Sequence, residues 1–411
     1  MVTGSITGDP GGKLGIRVDF SQIDLSVGDK AFAAEVRAFL RDHVTEEVLQ
    51  RERESGDSFD EQVHLALGAA GYLERELIAE ADGGFSPAQA RLWQLEKRRA
   101  HIPWVTWGTT ALVAYTVLEM ASPELRDEVM PGVYSGHIRM CLGYTEPDGG
   151  SDVATCKTRA IRDDSWWVIN GSKMFTTGAH HCQYVFLLTK TDPDAPKHQG
   201  LTMFLVPLDT PGIEVQGVRT VDGDRTNIVY YSDVRIDDRY RIGDVNGGWV
   251  VLRGPLDVEH GAVDADTEGL HDVSILDHQA GDMSLALDRA SACVGRVDQL
   301  GHRSVDNDAV AYRLGRATAR AEAGLSTPNI FGRVAQAQMM RDLAPDLMDM
   351  MGSAAALTHG AVGGVDGGQS EYMYRFAPLA GIYGGTLEVF RNMIAQYALG
   401  LGKPQYSSVA R

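Results

Sequence analysis

The feature that most restricts the fold is a change of hydrophobic period, helical, then alternating, then helical again, which divides the 411 residues into three blocks. In the first, from Ser26 to about Gly136, Phe32, Val36, Phe39 and Leu40 recur at the spacing of one helical face, with charged residues between them. Ser58 followed by Glu61 reads as a capping box, and Ser86-Pro87 and Ser122-Pro123 each place a cap before a first-turn proline. Several antiparallel helices are expected there. In the second block, short runs of Val, Ile, Tyr, Phe and Trp alternate with turn residues, and 184–188, 201–206, 213–218 and 228–231 read as strands. Residues 166–169, Asn170-Gly171 and 172–175 carry the signature of a two-residue hairpin. Past Gly247 the helical period returns, clearest over 309–323, 334–351 and 387–399, whereas the acid-rich stretch 263–290 reads as a solvated loop or frayed helix. The expected domains are therefore helical over 1–137, β over 138–246 and helical over 247–411.

Composition then excludes whole classes of function. A formal charge of -18 repels a phosphate backbone, so nucleic acid is not an expected partner. Four scattered cysteines with no CxxC pair argue against a disulfide framework or zinc, and fit a reducing cytoplasm. The first 25 residues lack a signal-peptide pattern and read as a loose arm, and no apolar run approaches the ~20 residues that span a bilayer. His180 and His181 lack metal-ligand spacing and read as packing or loop residues, so no metal is expected. Neither a GxGxxG after a strand nor a GxxxxGK[ST] is present, which disfavours a βαβ nucleotide fold.

Three segments stand out chemically. Tyr144-Thr145-Glu146-Pro147-Asp148-Gly149-Gly150-Ser151-Asp152 is either an ordinary tight turn or a place where backbone N–H groups and the Thr145 and Ser151 hydroxyls meet a polar ring or diphosphate. Lys173-Met174-Phe175-Thr176-Thr177-Gly178 sets an aromatic ring beside hydroxyls, which suits either core packing or one face of a heterocycle. In Ile382-Tyr383-Gly384-Gly385-Thr386-Leu387-Glu388, two glycines precede a threonine placed to cap a helix.

These segments, together with Asp233-Val234-Arg235-Ile236, Gly247-Gly248-Trp249 and the run 383–402, make the chain resemble the acyl-CoA dehydrogenase family from about Ser26 to Pro404. The resemblance implies a mixed α and β fold: an N-terminal helical domain, a central β-barrel-like domain and a C-terminal four-helix bundle. It implies FAD as cofactor, with Tyr144, Thr145, Ser151, Phe175 and Thr177 at the flavin ring, and Thr386 and Glu388 at its ribityl and phosphate part. Ser151 would also lie near the thioester or pantetheine. The implied function is α,β-dehydrogenation of an acyl-CoA to trans-2-enoyl-CoA in lipid metabolism, with an electron-transfer flavoprotein as acceptor.

The chemistry needs a carboxylate to remove the α-proton while the β-hydrogen leaves as hydride. Most members of the family carry that glutamate directly after the Tyr of a YEGT motif, where this chain has Gly384. Others carry it on an earlier helix in a stretch like LDLER, which matches Leu256-Asp257-Val258-Glu259-His260 and nominates Glu259, with Asp257 as a rival. Its burial would raise its pKa toward the working range. Gly384 would still supply the backbone N–H that polarises the thioester carbonyl. His260 replaces the usual arginine after the base, as a substrate-facing substitute or a core histidine. Pro255 should kink or restart the helix that presents Glu259. The family's RxQFG element is replaced by Arg303-Ser304-Val305-Asp306. That is similar to the actinobacterial steroid- and side-chain-degrading subgroup, which implies a homo-oligomer or a heterotetramer with a paralogous subunit that supplies the arginine. Two alternatives remain: a non-catalytic partner subunit, and a flavin oxidase or hydroxylase on the same fold.

Overall fold

The computed structural model describes residues 25–259, 275–325, 327 and 329–402, with the side chains of 257–259, 275–278, 325 and 329 outside the description. Most of the arm expected at the N-terminus, and His260, lie outside the described residues. The chain forms two compact units, one holding the described residues up to Glu259 and the other those from Ile275 onward.

The first unit begins with seven helices: α1 (Val27–His43), α2 (Glu46–Ser55), α3 (Glu61–Ala69), α4 (Tyr72–Leu77), α5 (Pro87–Ala100), α6 (Val105–Met120) and α7 (Pro123–Tyr134). On α1, Phe32, Val36 and Leu40 are buried as their spacing predicts. Ser86 and Ser122 cap α5 and α7 ahead of their prolines. The cap of α3 is Asp60, which accepts from the Val63 N–H at 3.1 Å, so the Ser58 capping box is not what starts this helix. Its carboxylate sits one residue before the first helical position, where the free N–H groups lie. A buried carboxylate, Glu76, ties α4 to α5 and α6, accepting from Trp93 Nε1 at 2.8 Å, Trp107 Nε1 at 2.9 Å and Lys97 Nζ at 3.0 Å.

Eight strands follow: β1 (Met140–Gly143), β2 (Arg159–Asp163), β3 (Trp166–Lys173), β4 (Tyr184–Lys190), β5 (Leu201–Pro207), β6 (Ile213–Arg219), β7 (Arg225–Asp237) and β8 (Arg241–Ile242). They form one sheet in the order β6-β7-β3-β2-β4-β5-β8, with β1 parallel to β4. Along β4, Tyr184, Phe186 and Leu188 join the core of the helices, while Val185 and Leu187 join a second core with Trp167, Ile169, Val229 and Ile236. Both faces of this strand are covered, which is why its sequence is an unbroken apolar run.

Asn170-Gly171 is not a hairpin. It lies inside β3, which pairs with β7 on one side and β2 on the other. The real β2–β3 turn is Asp164-Ser165, with Asp164 at φ 55°. Asn170 instead bonds Asp233, its Nδ2 donating to Oδ1 at 3.0 Å and its Oδ1 accepting the Asp233 N–H at 2.9 Å. Here β7 steps three residues while β3 steps two, a bulge that holds Asp233 at φ 49°.

The unit ends with α8 (Gly248–Glu259), packed on α6 and β5. Pro255 neither ends nor restarts it: the helix runs through, with Val251, Leu252 and Pro255 buried. One lost intrahelical bond is outweighed by the packing of that apolar face.

The second unit contains α9 (Ile275–Val294), α10 (Asp308–Leu325), α11 (Asn329–Met351), α12 (Gln369–Phe376) and α13 (Leu387–Met393). Residues 275–290, expected as loop or frayed helix, belong to α9, because Ala280, Met283, Ala286, Leu287 and Ala290 make a buried stripe between the acids. Residues 263–274 of that stretch lie outside the described residues. The stripe meets Ala317 and Ala321 of α10, Ala337, Met340, Leu343 and Leu347 of α11, and Met373 and Phe376 of α12. Among the described residues no helix is long and apolar enough to cross a membrane, and all four cysteines are free.

Candidate active site

In the first unit the two turns singled out in the sequence are joined. The Met174 N–H donates to the Thr145 carbonyl at 2.8 Å, so the end of β3 lies against the segment leaving β1. Beneath this junction lies Lys173, fully buried at the last position of β3. Its ammonium donates to the Tyr144 carbonyl at 3.1 Å and to Glu146 Oε1 at 2.8 Å. Glu146 also accepts the N–H of Lys157 at 2.7 Å and of Thr158 at 2.9 Å. Burial alone would push this carboxyl up, but the Lys173 ammonium and the hydrogen bonds from Lys173 and Thr158 hold it at about 2. The neighbouring Cys156 thiol, 3.3 Å from Lys173 Nζ, is pushed by burial up to about 11 and stays protonated.

Around this anchor the sequence-predicted residues are arranged unequally. The Tyr144 ring is buried edge-on against Phe186, with centroids 6.0 Å apart. Glu146 and Gly149 exchange two backbone hydrogen bonds of 3.1 Å, a tight turn that leaves Ser151 exposed. Phe175 stands 55% exposed with φ 59°, an unusual conformation for a bulky residue. Beside it the Thr177 hydroxyl meets that of Thr226 at 3.1 Å. Thr176 is fully buried, bonded through its backbone to Asn227, and its hydroxyl has no hydrogen-bond partner among the described residues.

Lys173, Glu146 and Asn227 were not among the predicted site residues. The hairpin reading hid Lys173: only because β3 runs unbroken through Asn170-Gly171 do Trp167, Ile169 and Lys173 share one parity, which turns the lysine inward toward a carboxylate. Glu259 closes α8, and its side chain lies outside the described residues, as does the whole of His260.

In the second unit the Tyr383-Gly384-Gly385-Thr386 turn has both glycines in the left-handed region, at φ 58° and 95°. Thr386 caps α13 by accepting the Val389 N–H at 3.3 Å, with Leu387 and Phe390 buried and Glu388 exposed. Arg333 of α11, 2% exposed, donates to the Ala380 carbonyl at 2.7 Å and the Tyr383 carbonyl at 2.8 Å. Gln279 of α9 accepts from Arg333 at 2.8 Å and donates to the Tyr383 hydroxyl at 3.0 Å.

Two other features lie in the first unit. A cavity of about 840 Å³ is lined by Trp166, Pro207, Arg235, Arg239 and others, and includes none of the predicted site residues. The Nε2 atoms of His180 and His181 approach separate oxygens of Asp57 at 3.0 and 3.4 Å. Only the His180 contact is a hydrogen bond, and the fold gathers one ligand atom from each of Asp57, His180 and His181 within 4.8 Å, a grouping that the sequence spacing did not reveal; burial followed by the adjacent His181 lowers the His180 pKa.

Helices, then one sheet, then helices, with an aromatic–hydroxyl platform at a strand end and a double-glycine turn, define a recognised class. Residues 28–137 match the N-terminal domain of acyl-CoA dehydrogenases, 141–238 the middle domain and 273–399 the C-terminal domain. The chain belongs to the acyl-CoA dehydrogenase family. It is 30% identical over 397 residues to acyl-CoA dehydrogenase IpdE1 of Mycolicibacterium smegmatis, covering 90% of this chain and 97% of that one. It is 31% identical over 348 residues to FadE34 of Mycobacterium tuberculosis, covering 83% of this chain but 46% of the relative, so it spans about half that protein's length. Among solved structures, the ChsE4–ChsE5 complex of Mycobacterium tuberculosis aligns with a TM-score of 0.80 at 25% identity, over 93% of this chain and 100% of that one. The Tcur3481–Tcur3483 steroid acyl-CoA dehydrogenase aligns with a TM-score of 0.78 at 28% identity, over 94% and 100%.

Proposed function

We propose that the chain is an FAD-dependent acyl-CoA dehydrogenase whose catalytic base is Glu259 and whose oxyanion donor is the Gly384 N–H. The observation that carries this reading is the platform just past the end of β3: an exposed Phe175 and the Thr177 hydroxyl flanking Thr176, whose buried hydroxyl has no described partner, fixed to the Thr145–Ser151 turn by a buried Lys173–Glu146 pair. An exposed ring with hydroxyls at hand fits a flat, polar heterocycle, and a buried hydroxyl with no described partner asks for one. Phe175, Thr177, Thr145 and Ser151 would hold the isoalloxazine, with Thr386 and Glu388 at the ribityl and phosphate part. When bound, FAD supplies a hydride acceptor.

The chain's own residues do the rest. Glu259 would take the α-proton onto a carboxylate oxygen, and a Gly384 N–H aimed at the thioester oxygen would lower the cost of the developing negative charge. The similarity to the Tcur3481–Tcur3483 steroid acyl-CoA dehydrogenase supports a bulky acyl group. The paired chains of the ChsE4–ChsE5 and Tcur3481–Tcur3483 structures support a heteromer with a paralogue, and an electron-transfer flavoprotein would accept the electrons. Arg303 favours the same assembly, because its fork is spent on Asp306 of its own turn at 2.6 Å.

The test is an absorption spectrum of the purified protein followed by anaerobic bleaching with a panel of acyl-CoAs. Glu259→Gln is expected to keep the yellow colour and lose nearly all bleaching. An unchanged rate in that variant would favour an accessory subunit, the reading to which Gly384, in the place of the usual glutamate, lends weight. Rapid oxygen uptake by the reduced protein would mark an oxidase or hydroxylase.

A further inference from the structure

We propose that Arg333 is a positioning residue that polarises the Tyr383–Gly384 peptide and so strengthens the Gly384 N–H as a donor. The inference rests on the oxyanion role given to Gly384 above. The Tyr383 carbonyl and the Gly384 N–H are the two ends of one planar, resonance-coupled amide. Electron density drawn toward the oxygen leaves the nitrogen and its proton more positive, the cooperativity seen along hydrogen-bonded chains of amides. Arg333 Nη2 donates to that oxygen at 2.8 Å.

Three properties make the contact strong. The guanidinium carries its charge at any working pH. It is 2% exposed, so water does little to screen it. A hydrogen bond from an ionised donor is about twice as strong as one between neutral groups.

The contact is also fixed in direction. Nη1 donates to the Ala380 carbonyl at 2.7 Å and to Gln279 Oε1 at 2.8 Å, which sets the plane of the fork. Gln279, itself fully buried, donates in turn to the Ala380 carbonyl at 3.1 Å and the Tyr383 hydroxyl at 3.0 Å. Tyr383 is thus held at both its ring hydroxyl and its backbone carbonyl. Such a clamp has a purpose here, because Gly384 and Gly385, at φ 58° and 95°, are residues with the most conformational freedom to lose. A lysine would bring the charge without the planar fork that reaches both carbonyls and Gln279 together.

The sequence supplies the probe. Tyr383-Gly384 is the one Tyr-Gly step in the 411 residues, so carbonyl-¹³C tyrosine combined with ¹⁵N glycine isolates a single amide signal. In the unaltered full chain the Tyr383 carbonyl carbon is expected downfield of the other tyrosine carbonyls, and a position in their midst overturns the proposal without any variant. Arg333→Lys and Arg333→Met are expected to move the Gly384 amide proton upfield, and an unmoved signal in either folded variant overturns it. With FAD and an acyl-CoA bound, the thioester C=O stretch, lowered in the unaltered protein, is expected to return toward the free-ligand value in Arg333→Lys. In that variant kcat should fall about 10- to 100-fold, less than or equal to the loss of an oxyanion donor, with KM little changed. If the thioester band of the unaltered protein sits at the free-ligand value, the oxyanion reading falls, while the amide shift still decides the polarisation.

Discussion

Lys173 is the residue on which the arrangement of the first unit's platform depends. Removing its charge leaves Glu146 buried and unpaired, so Lys173→Met is expected to cost roughly 3–5 kcal/mol in urea denaturation. The double variant Lys173→Met/Glu146→Gln should recover most of that loss, since no bare charge then remains inside. The pH dependence has a definite sign. Glu146 has its pKa lowered from 4.5 to about 2, so its contribution to stability is complete above about pH 4.5 and fades as pH falls toward 2. Denaturation midpoints measured across that range should decline in the unaltered chain and flatten in Glu146→Gln. At this scale the sequence was legible where side chains follow a simple rule. The caps Ser86 and Ser122 were plain from their prolines, whereas the inward parity of Lys173 emerges only once β3 runs unbroken through Asn170-Gly171. Its carboxylate partner was harder to find, because Glu146 comes from a turn 27 residues away that only the folded sheet brings near.

Elements were read correctly where one period dominated and misread where two rules competed. Asn170-Gly171 satisfies the preferences of a hairpin turn, but strands on both sides of β3 satisfy its backbone better, and the pair became part of a bulged ladder. Gly171 is required there for a different reason. A Cβ at that position would lie 2.7 Å from both Cα and Oγ1 of Thr158, with φ at 147°. Gly171→Ala should therefore introduce strain of about 1–3 kcal/mol. Because the Thr158 N–H donates to Glu146, the displacement passes to the platform. The expected outcome is a lowered denaturation midpoint together with loss of bound flavin on gel filtration. Helix α9 was obscured by its own acids, which count toward solvation in a composition window although they flank a buried stripe.

For the whole molecule, three family segments in order carried the assignment, and matches over 28–137, 141–238 and 273–399 bear it out. Substrate and assembly were not legible in this way, since both depend on surfaces contributed by groups far apart in the chain or by another chain. The proposed heteromer gives one prediction at this scale, with Arg303 closed on Asp306 of its own turn. Purified alone, the chain is expected to hold less than one FAD per protomer, rising to full occupancy when co-purified with a paralogous subunit. The ratio of flavin to protein absorbance measures this, and full loading of the chain by itself would remove the need for the partner. One consequence of the Lys173 anchor bears on how such a complex is built. The lysine, the glutamate and the Met174–Thr145 link are all internal to the chain, so the loops that would receive the dye are set in place when the polypeptide folds. Little disorder remains to be lost at uptake, and a late-arriving guest meets a mould already cast.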